Sequence, residues 1–285
     1  MRVLVFGAAG QIGEELVLQA RDAGHEVIAL TRGDHDITDA AATRQRVLDA
    51  RADVVHNAAA YTAVDRAESE PGPAFDLNAI APGVIARACA EAGSRMVHYS
   101  TDYVFDGTAT SPIDEGAAVA PLGEYGRGKL AGEWAVQAAG GDAYIVRTAW
   151  VYGLNGTNFV KTVLRVTREK GAMRVVNDQR GCPSWARDLA AAALRLPDVG
   201  SPGLYHVTNS GDCTWYELAR AVVELAGIAA DVEPITTADY PTPAARPAYS
   251  VLDNRRWREF DQPPLREWKT ALAEFMTMVE TAPTV

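Results

Sequence analysis

The chain has 285 residues, 48% hydrophobic and 22% charged, which suits one large domain or two ordinary ones and excludes wholesale disorder. A formal net charge of −10 argues against a sequence-independent grip on a nucleic-acid backbone, although local arginines and helix N-termini can still take small anions. Cys89, Cys182 and Cys213 are odd in number and far from any histidine cluster, so buried thiols are expected rather than disulfides or structural zinc. No basic leader with an apolar core precedes the opening "MRVLVFGAAG", and no apolar run approaches about 18 residues. The expectation is a cytoplasmic protein with neither membrane nor nucleic-acid partners.

Short β-branched runs at 2–6, 26–30, 53–56, 95–100 and 144–148 read as buried strands. They alternate with helical spacing at 11–23, 39–50, 73–92 and 124–139. That alternation predicts an α/β fold, a doubly wound parallel sheet with helices on both faces. After about residue 150 the rhythm changes. Helices at 157–170, 184–196, 214–227 and 265–280 surround short strands near 173–176 and 203–208, with a Pro-rich segment at 241–247. Residues 1–150 are therefore expected to form a dinucleotide-binding domain. Residues 151–285 should form a smaller mixed α/β substrate lobe, with a soft boundary and interleaved lobes.

The first strand runs into "GAAGQIG". Gly7 suits a tight turn, Gly10 close approach of backbone to a pyrophosphate, and Gly13 close packing of helix on strand, with the helix N-terminus facing the phosphates. The second strand ends in "ALTRGD". Arg32 there favours a 2′-phosphate, hence NADPH over NADH. In "HDITD", Asp36 and Ile37 stand where they could hold an adenine, while Asp39 reads equally well as a helix N-cap. After the third strand, the small residues Ala58, Ala59 and Ala60 allow a flat cofactor to lie against backbone. Asn78 is a polar residue in an apolar helix and reads as a satisfied buried amide.

The fourth strand ends in "STDYVFDG", gathering Ser100, Thr101, Asp102 and Tyr103 at the sheet's C-terminal edge, with an Asx- or ST-turn as the competing explanation. "YGRGK" then places Tyr125 and Lys129 four residues apart on one helix face. A Thr hydroxyl, a phenol and an ammonium converging beside a nicotinamide are what reduction of a carbonyl requires. At an effective dielectric near 20, an ammonium about 5 Å away would lower the phenol's pKa by about two units. Gly126 and Gly128 would keep side chains clear of the cofactor.

These residues resemble the extended short-chain dehydrogenase/reductases, and within them the dTDP-4-dehydrorhamnose reductase family. "GAAGQIG", "DITD", "NAAAYTAVDRAE", "STDYVFDG", "YGRGKLAGE", "RTAWVYG", "NDQRGCPSW", "GLYHVTN" and "RPAYSVLD" carry the likeness over nearly the whole chain. It implies a Rossmann-type fold and NAD(P)H-dependent reduction of the C4 keto group of dTDP-4-dehydro-β-L-rhamnose, in a homodimer. It further implies Thr101, Tyr125 and Lys129 as the catalytic trio. Asp102, Tyr103, Trp150 and Arg246 would contact the dTDP-sugar, with Gln11, Ile12, Ala60 and Thr62 lining the cofactor site. Some members of the family are associated with Mg²⁺, but no carboxylate spacing in this chain supports a metal site. The loop "NDQRGCPSW" departs from the family's Asp–Asp–Gln and Gly-x-Pro-Thr at Asn177, Cys182 and Ser184. Competing readings are a related 4-keto reductase of antibiotic-sugar or dihydrostreptose synthesis and a non-catalytic regulatory subunit. A 4,6-dehydratase is disfavoured, because Tyr103 stands where its second acid would be.

Overall fold

The computed structural model describes residues 1–260 and 262–281. Five strands, β1 (Arg2–Phe6), β2 (Glu26–Leu30), β3 (Val54–Asn57), β4 (Arg95–Thr101) and β5 (Ala143–Thr148), lie in one parallel sheet with a sixth at Gly203–His206. The order across the sheet is Gly203–His206, β5, β4, β3, β1, β2. The doubly wound fold read from the sequence is therefore present. Strand order reverses between β1 and β3, and ligands of open α/β sheets collect outside the C-terminal ends at such a point.

Period-two alternation explains how both faces are covered. Val3 and Val5 of β1, with Val97 and Val146, pack against Leu16 of α1 (Gln11–Asp22) and Leu189 of the Ala186–Val199 helix. Leu4 and Phe6 face the other way, with Met96 and Ile145, onto α2 (Ala40–Ala50) and the helices Ala81–Ala92 and Glu124–Gln137. Asp39 does cap α2, accepting from the Ala42 N–H at 3.0 Å.

The rhythm change near residue 150 is real, but the chain does not stay away from the sheet. The strand expected at 203–208 in the smaller lobe is shorter and pairs in parallel with β5, and the helix before it packs on α1. A separate core, including Val163, Trp185, Val222 and Phe275, holds the helices Phe159–Lys170, Trp215–Leu225 and Trp268–Thr281 around a parallel pair, Ala172–Val176 with Asp231–Ile235. A third apolar cluster, including Val104, Phe105, Leu130, Cys182 and Leu252, joins the two. Cys89, Cys182 and Cys213 are buried thiols. Among the described residues, no helix is long and apolar enough to cross a membrane.

Candidate active site

At the β1/β3 reversal the glycines have separate jobs. Gly7 sits at φ +77°, and a Cβ there would come within 2.6 Å of the Ala59 nitrogen. A Cβ on Gly13 would lie 2.1 Å from the Gly7 carbonyl oxygen, so α1 reaches the loop only because this residue is glycine. Gly10 is the N-cap of α1, and no side chain caps the helix. Its first N–H groups are left for a ligand. The dinucleotide that the motif implies fits this crevice: a bare helix end for a diphosphate, with half-buried Ala58, Ala59 and Ala60 alongside.

The neighbouring expectations divide. Gln11 stands at the rim and bridges lobes, its Oε1 accepting from Asn158 Nδ2 at 3.0 Å. Ile12 is half-buried beside the core, while Thr62 and Arg32 are exposed. Arg32 is thus on the surface turn after β2, open to a ligand. One carboxylate oxygen of Asp36 already accepts from the Thr38 N–H and hydroxyl, at 3.0 and 2.7 Å. The Ile37 side chain is buried in the core under the sheet, which leaves its backbone as the part that could serve an adenine.

At the C-terminal edge of β4 the candidate reaction centre assembles. Thr101 Oγ1 donates to Asp102 Oδ1 at 3.1 Å, and Ser250 Oγ donates to Asp102 Oδ2 at 2.6 Å. Asp102 is 2% exposed. Burial pushes its carboxyl up to about 6, against the Ser250 and Thr101 hydrogen bonds that favour the charged form. It therefore braces Thr101 and ties the Ser250 segment to the sheet, rather than offering a free carboxylate to a sugar. Tyr103 packs edge-on against Tyr125, ring centres 5.5 Å apart.

Tyr125 opens the Glu124–Gln137 helix, whose N-cap Gly123 has no side chain to offer. Glu68, from a segment 56 residues earlier, accepts instead from the Glu124 N–H at 2.8 Å. A Cβ on Gly126 would meet the Tyr103 carbonyl at 2.3 Å, whereas one on Gly128 would find only ordinary contacts around Asn78. Gly126 thus lets the helix approach the Tyr103 backbone, whereas close packing does not demand glycine at position 128. Asn78 lies in a π turn, Asp76–Ile80, between the helices Pro71–Phe75 and Ala81–Ala92. Its amide bonds both the N–H and the C=O of Tyr61, at 2.9 and 3.0 Å, which fixes the loop following β3.

The Tyr125–Lys129 electrostatics differ from the sequence expectation. Burial pushes the Tyr125 phenol up to about 12; a hydrogen bond from Thr101 works against this and the charge of Asp102 adds to it. Lys129 aims its ammonium at the Tyr99 carbonyl, 2.5 Å away. The expected two-unit fall at Tyr125 is thus absent, because desolvation outweighs a charge that is engaged elsewhere. Lys129 is 2% exposed, and burial lowers it to about 8 despite the charge of Glu133.

Glu133 was not singled out from the sequence, although Tyr125, Lys129 and Glu133 recur at the helical period on one face. It forms a buried bidentate pair with Arg147 at 2.8 and 2.6 Å and accepts from Ser100 at 2.5 Å. This pair links the helix to β5 directly behind the reaction centre.

Two expected substrate contacts are engaged within the protein. Arg246 makes a bidentate pair with Asp65, at 2.9 and 2.8 Å. Trp150 has φ +48°, and its ring lies 3.5 Å from that of Trp215, with 7° between the planes. A Cβ on Gly181 would be 2.6, 2.7 and 2.8 Å from Cε2, Nε1 and Cζ2 of Trp150. Near-equal distances to one ring atom and its two neighbours put Gly181 over the ring face. Both faces of Trp150 are therefore covered, which leaves the edge of the ring for the expected contact to the dTDP-sugar. In the departing loop, Asn177 Oδ1 accepts from Thr214 Oγ1 at 2.7 Å, and Ser184 Oγ donates to the Cys182 carbonyl at 3.1 Å.

A concavity of about 890 Å³ lies elsewhere. Arg180, Asp212, Glu217, Arg220 and Trp268 help line it, and Thr101, Tyr125 and Lys129 do not. No group of three or more metal-ligating side chains occurs among the described residues.

Comparison with known proteins agrees with this architecture. Residues 1–281 match the family described as the RmlD substrate binding domain. The dTDP-4-dehydrorhamnose reductase of Mycolicibacterium smegmatis is 44% identical over 287 residues, covering 99% of this chain and 87% of that protein. A probable dTDP-4,6-dihydroxy-2-methyloxan-3-one 4-ketoreductase of Streptomyces antibioticus is also 44% identical, over 96% of this chain and 94% of its own length. The crystal structure of dTDP-4-dehydrorhamnose reductase from Bacillus anthracis in complex with NADP superposes with a TM-score of 0.94 at 35% identity, covering 97% of this chain and 99% of that one.

Proposed function

This chain belongs to the dTDP-4-dehydrorhamnose reductase family, and from that premise we propose that it reduces the C4 keto group of dTDP-4-dehydro-β-L-rhamnose to give dTDP-L-rhamnose. A nicotinamide cofactor supplies the hydride. The observation that carries this reading is the pairing of a protonated phenol with a Thr hydroxyl at one sheet edge, next to a bare helix end fit for a dinucleotide. With its pKa pushed up to about 12, Tyr125 is a neutral phenol at neutral pH and still holds the proton to be donated. Its Oη gives that proton to the C4 oxygen while Thr101, held in place beside Asp102, turns its one hydroxyl proton from the Asp102 carboxylate to the same atom. Once the phenol has lost its proton, the Lys129 ammonium turns from the Tyr99 carbonyl toward the phenolate on the same helix face, and Tyr103 walls the ring. Gln11, Ile12 and the α1 N–H groups hold the diphosphate. Exposed Arg32 supports NADPH over NADH, and Arg32→Ala should raise the KM for NADPH while leaving NADH nearly unchanged.

A second reading, reduction of a different dTDP-4-keto-deoxysugar, is supported by the equally similar Streptomyces antibioticus relative. Incubating the purified protein with several dTDP-4-keto-6-deoxy sugars and NADPH, then identifying the products, separates the two. The first reading expects dTDP-L-rhamnose as the favoured product. Preference for another sugar supports the second, and absence of NADPH oxidation with every sugar overturns both.

A further inference from the structure

Trp150 carries a backbone conformation that a bulky L-residue rarely adopts, and such conformations persist only where surroundings over-determine them. The surroundings here are specific. Trp150 follows Thr148 by two residues, and Thr148 is the register partner of Thr101, so the indole leaves the sheet at the reaction edge. Gly181 covers one face, leaving the other for Trp215. Trp215 is the first residue of its helix, held by a complete Thr214/Glu217 capping box, and Phe159 packs across it at 4.7 Å. Thr214 is fastened in turn to Asn177 in the loop that carries Gly181.

We propose that Trp215 is a positioning residue for substrate: by stacking on Trp150 it locks that indole into its left-handed conformation and turns its edge toward the dTDP-sugar. A near-parallel stack at 3.5 Å leaves no room for a planar ligand between the rings, so Trp215 acts through Trp150 and not as half of a sandwich around a base. Asn177 belongs to the same device, since it anchors the cap of the helix that presents Trp215. This inference rests on the reductase reading of the site.

The test compares wild type with Trp215→Ala, Trp215→Phe, Trp150→Ala and the double Ala variant. Far-UV circular dichroism reports the exciton coupling of the stacked indoles, and steady-state kinetics reports KM for the dTDP-keto sugar beside the Kd for NADPH. Trp215→Ala should lose the coupling and raise the sugar KM by about tenfold, the worth of one aromatic pair, with NADPH binding unchanged. Trp215→Phe should recover most of that KM. The double variant should be no worse than Trp150→Ala alone, because one residue works through the other. An Ala variant with no coupling but wild-type KM overturns the inference, as do losses that add in the double variant. Should Trp215→Ala fail to fold, Trp215→Leu fills the volume without a plane and is held to the same comparison. Wild-type turnover tests the reductase reading by itself: an inactive wild type removes both, whereas an active one beside unimpaired variants removes only this inference.

Discussion

Two helices of this protein begin at a glycine that cannot cap them, and they are treated in opposite ways. At α1 the N-cap Gly10 has no side-chain partner and the end stays bare. At the Tyr125 helix the same deficiency at Gly123 is filled from a distance by Glu68. A helix end left without a cap beside a topological switch point is available to an anion, whereas one closed by a carboxylate is a support for what stands on it. In the proposed function the open end binds the cofactor and the closed end carries the reacting phenol.

The strongest way to break this division is Tyr125→Phe. It should lower kcat by about 10²–10⁴ and leave the Kd for NADPH close to wild type. A comparable loss of cofactor affinity in calorimetry would merge the two ends into one. Gly10→Asp tests the open end with effects of opposite sign. Gly10 has an ordinary extended conformation, and a Cβ there meets only the Gly7 oxygen at 3.2 Å. The new carboxylate should cap α1 and raise Tm by about 2 °C while weakening NADPH about tenfold by repelling its phosphates. Thermal melts and calorimetry on one preparation read both, and a parallel fall would show strain instead.

The closed end also contains a titrating charge, as backbone N–H groups do not. Lys129, lowered by burial to about 8, is charged below that pH and neutral above it. Its support for the phenolate is therefore lost as pH rises, and kcat/KM should drop about tenfold between pH 7 and 9. A flat profile would mean that Lys129 acts without its charge. The smallest effect belongs to Glu68→Ala, which uncaps the Tyr125 helix. About 1 kcal/mol of stability and a few-fold in kcat should go, with NADPH binding unaffected. Chemical denaturation and kinetics together check it.

Much of this was legible in the chain. Strands of four to seven residues, the Gly7–Gly10–Gly13 spacing, and Thr101 with Tyr125 and Lys129 announce themselves locally, because strand alternation and helical period are short-range signals. What escaped depends on contacts distant in sequence. Glu68 reaches Gly123, Ser250 reaches Asp102, Asp65 claims Arg246, and Trp215 covers Trp150. The sign of the Tyr125 shift escaped for a different reason. Helical spacing brings Lys129 to the same face, but only the packed structure reveals that its ammonium turns to the Tyr99 carbonyl. Ile37 shows the converse, an apolar residue in a suggestive motif that the core claims first.

The Gly203–His206 strand has a consequence for how the molecule comes into being. It is the outermost strand on its side of the sheet, beside β5, yet the ribosome delivers it more than fifty residues after β5 ends. Until then β5 is a bare edge, with Tyr144, Ile145 and Val146 along it and unpaired backbone groups on one side. A nascent chain stopped near residue 150 would thus have most of a sheet and an adhesive border. Such a fragment is a candidate for aggregation rather than a free-standing nucleotide-binding module. The late helix and strand close that border, so maturation of the first half awaits synthesis well into the second.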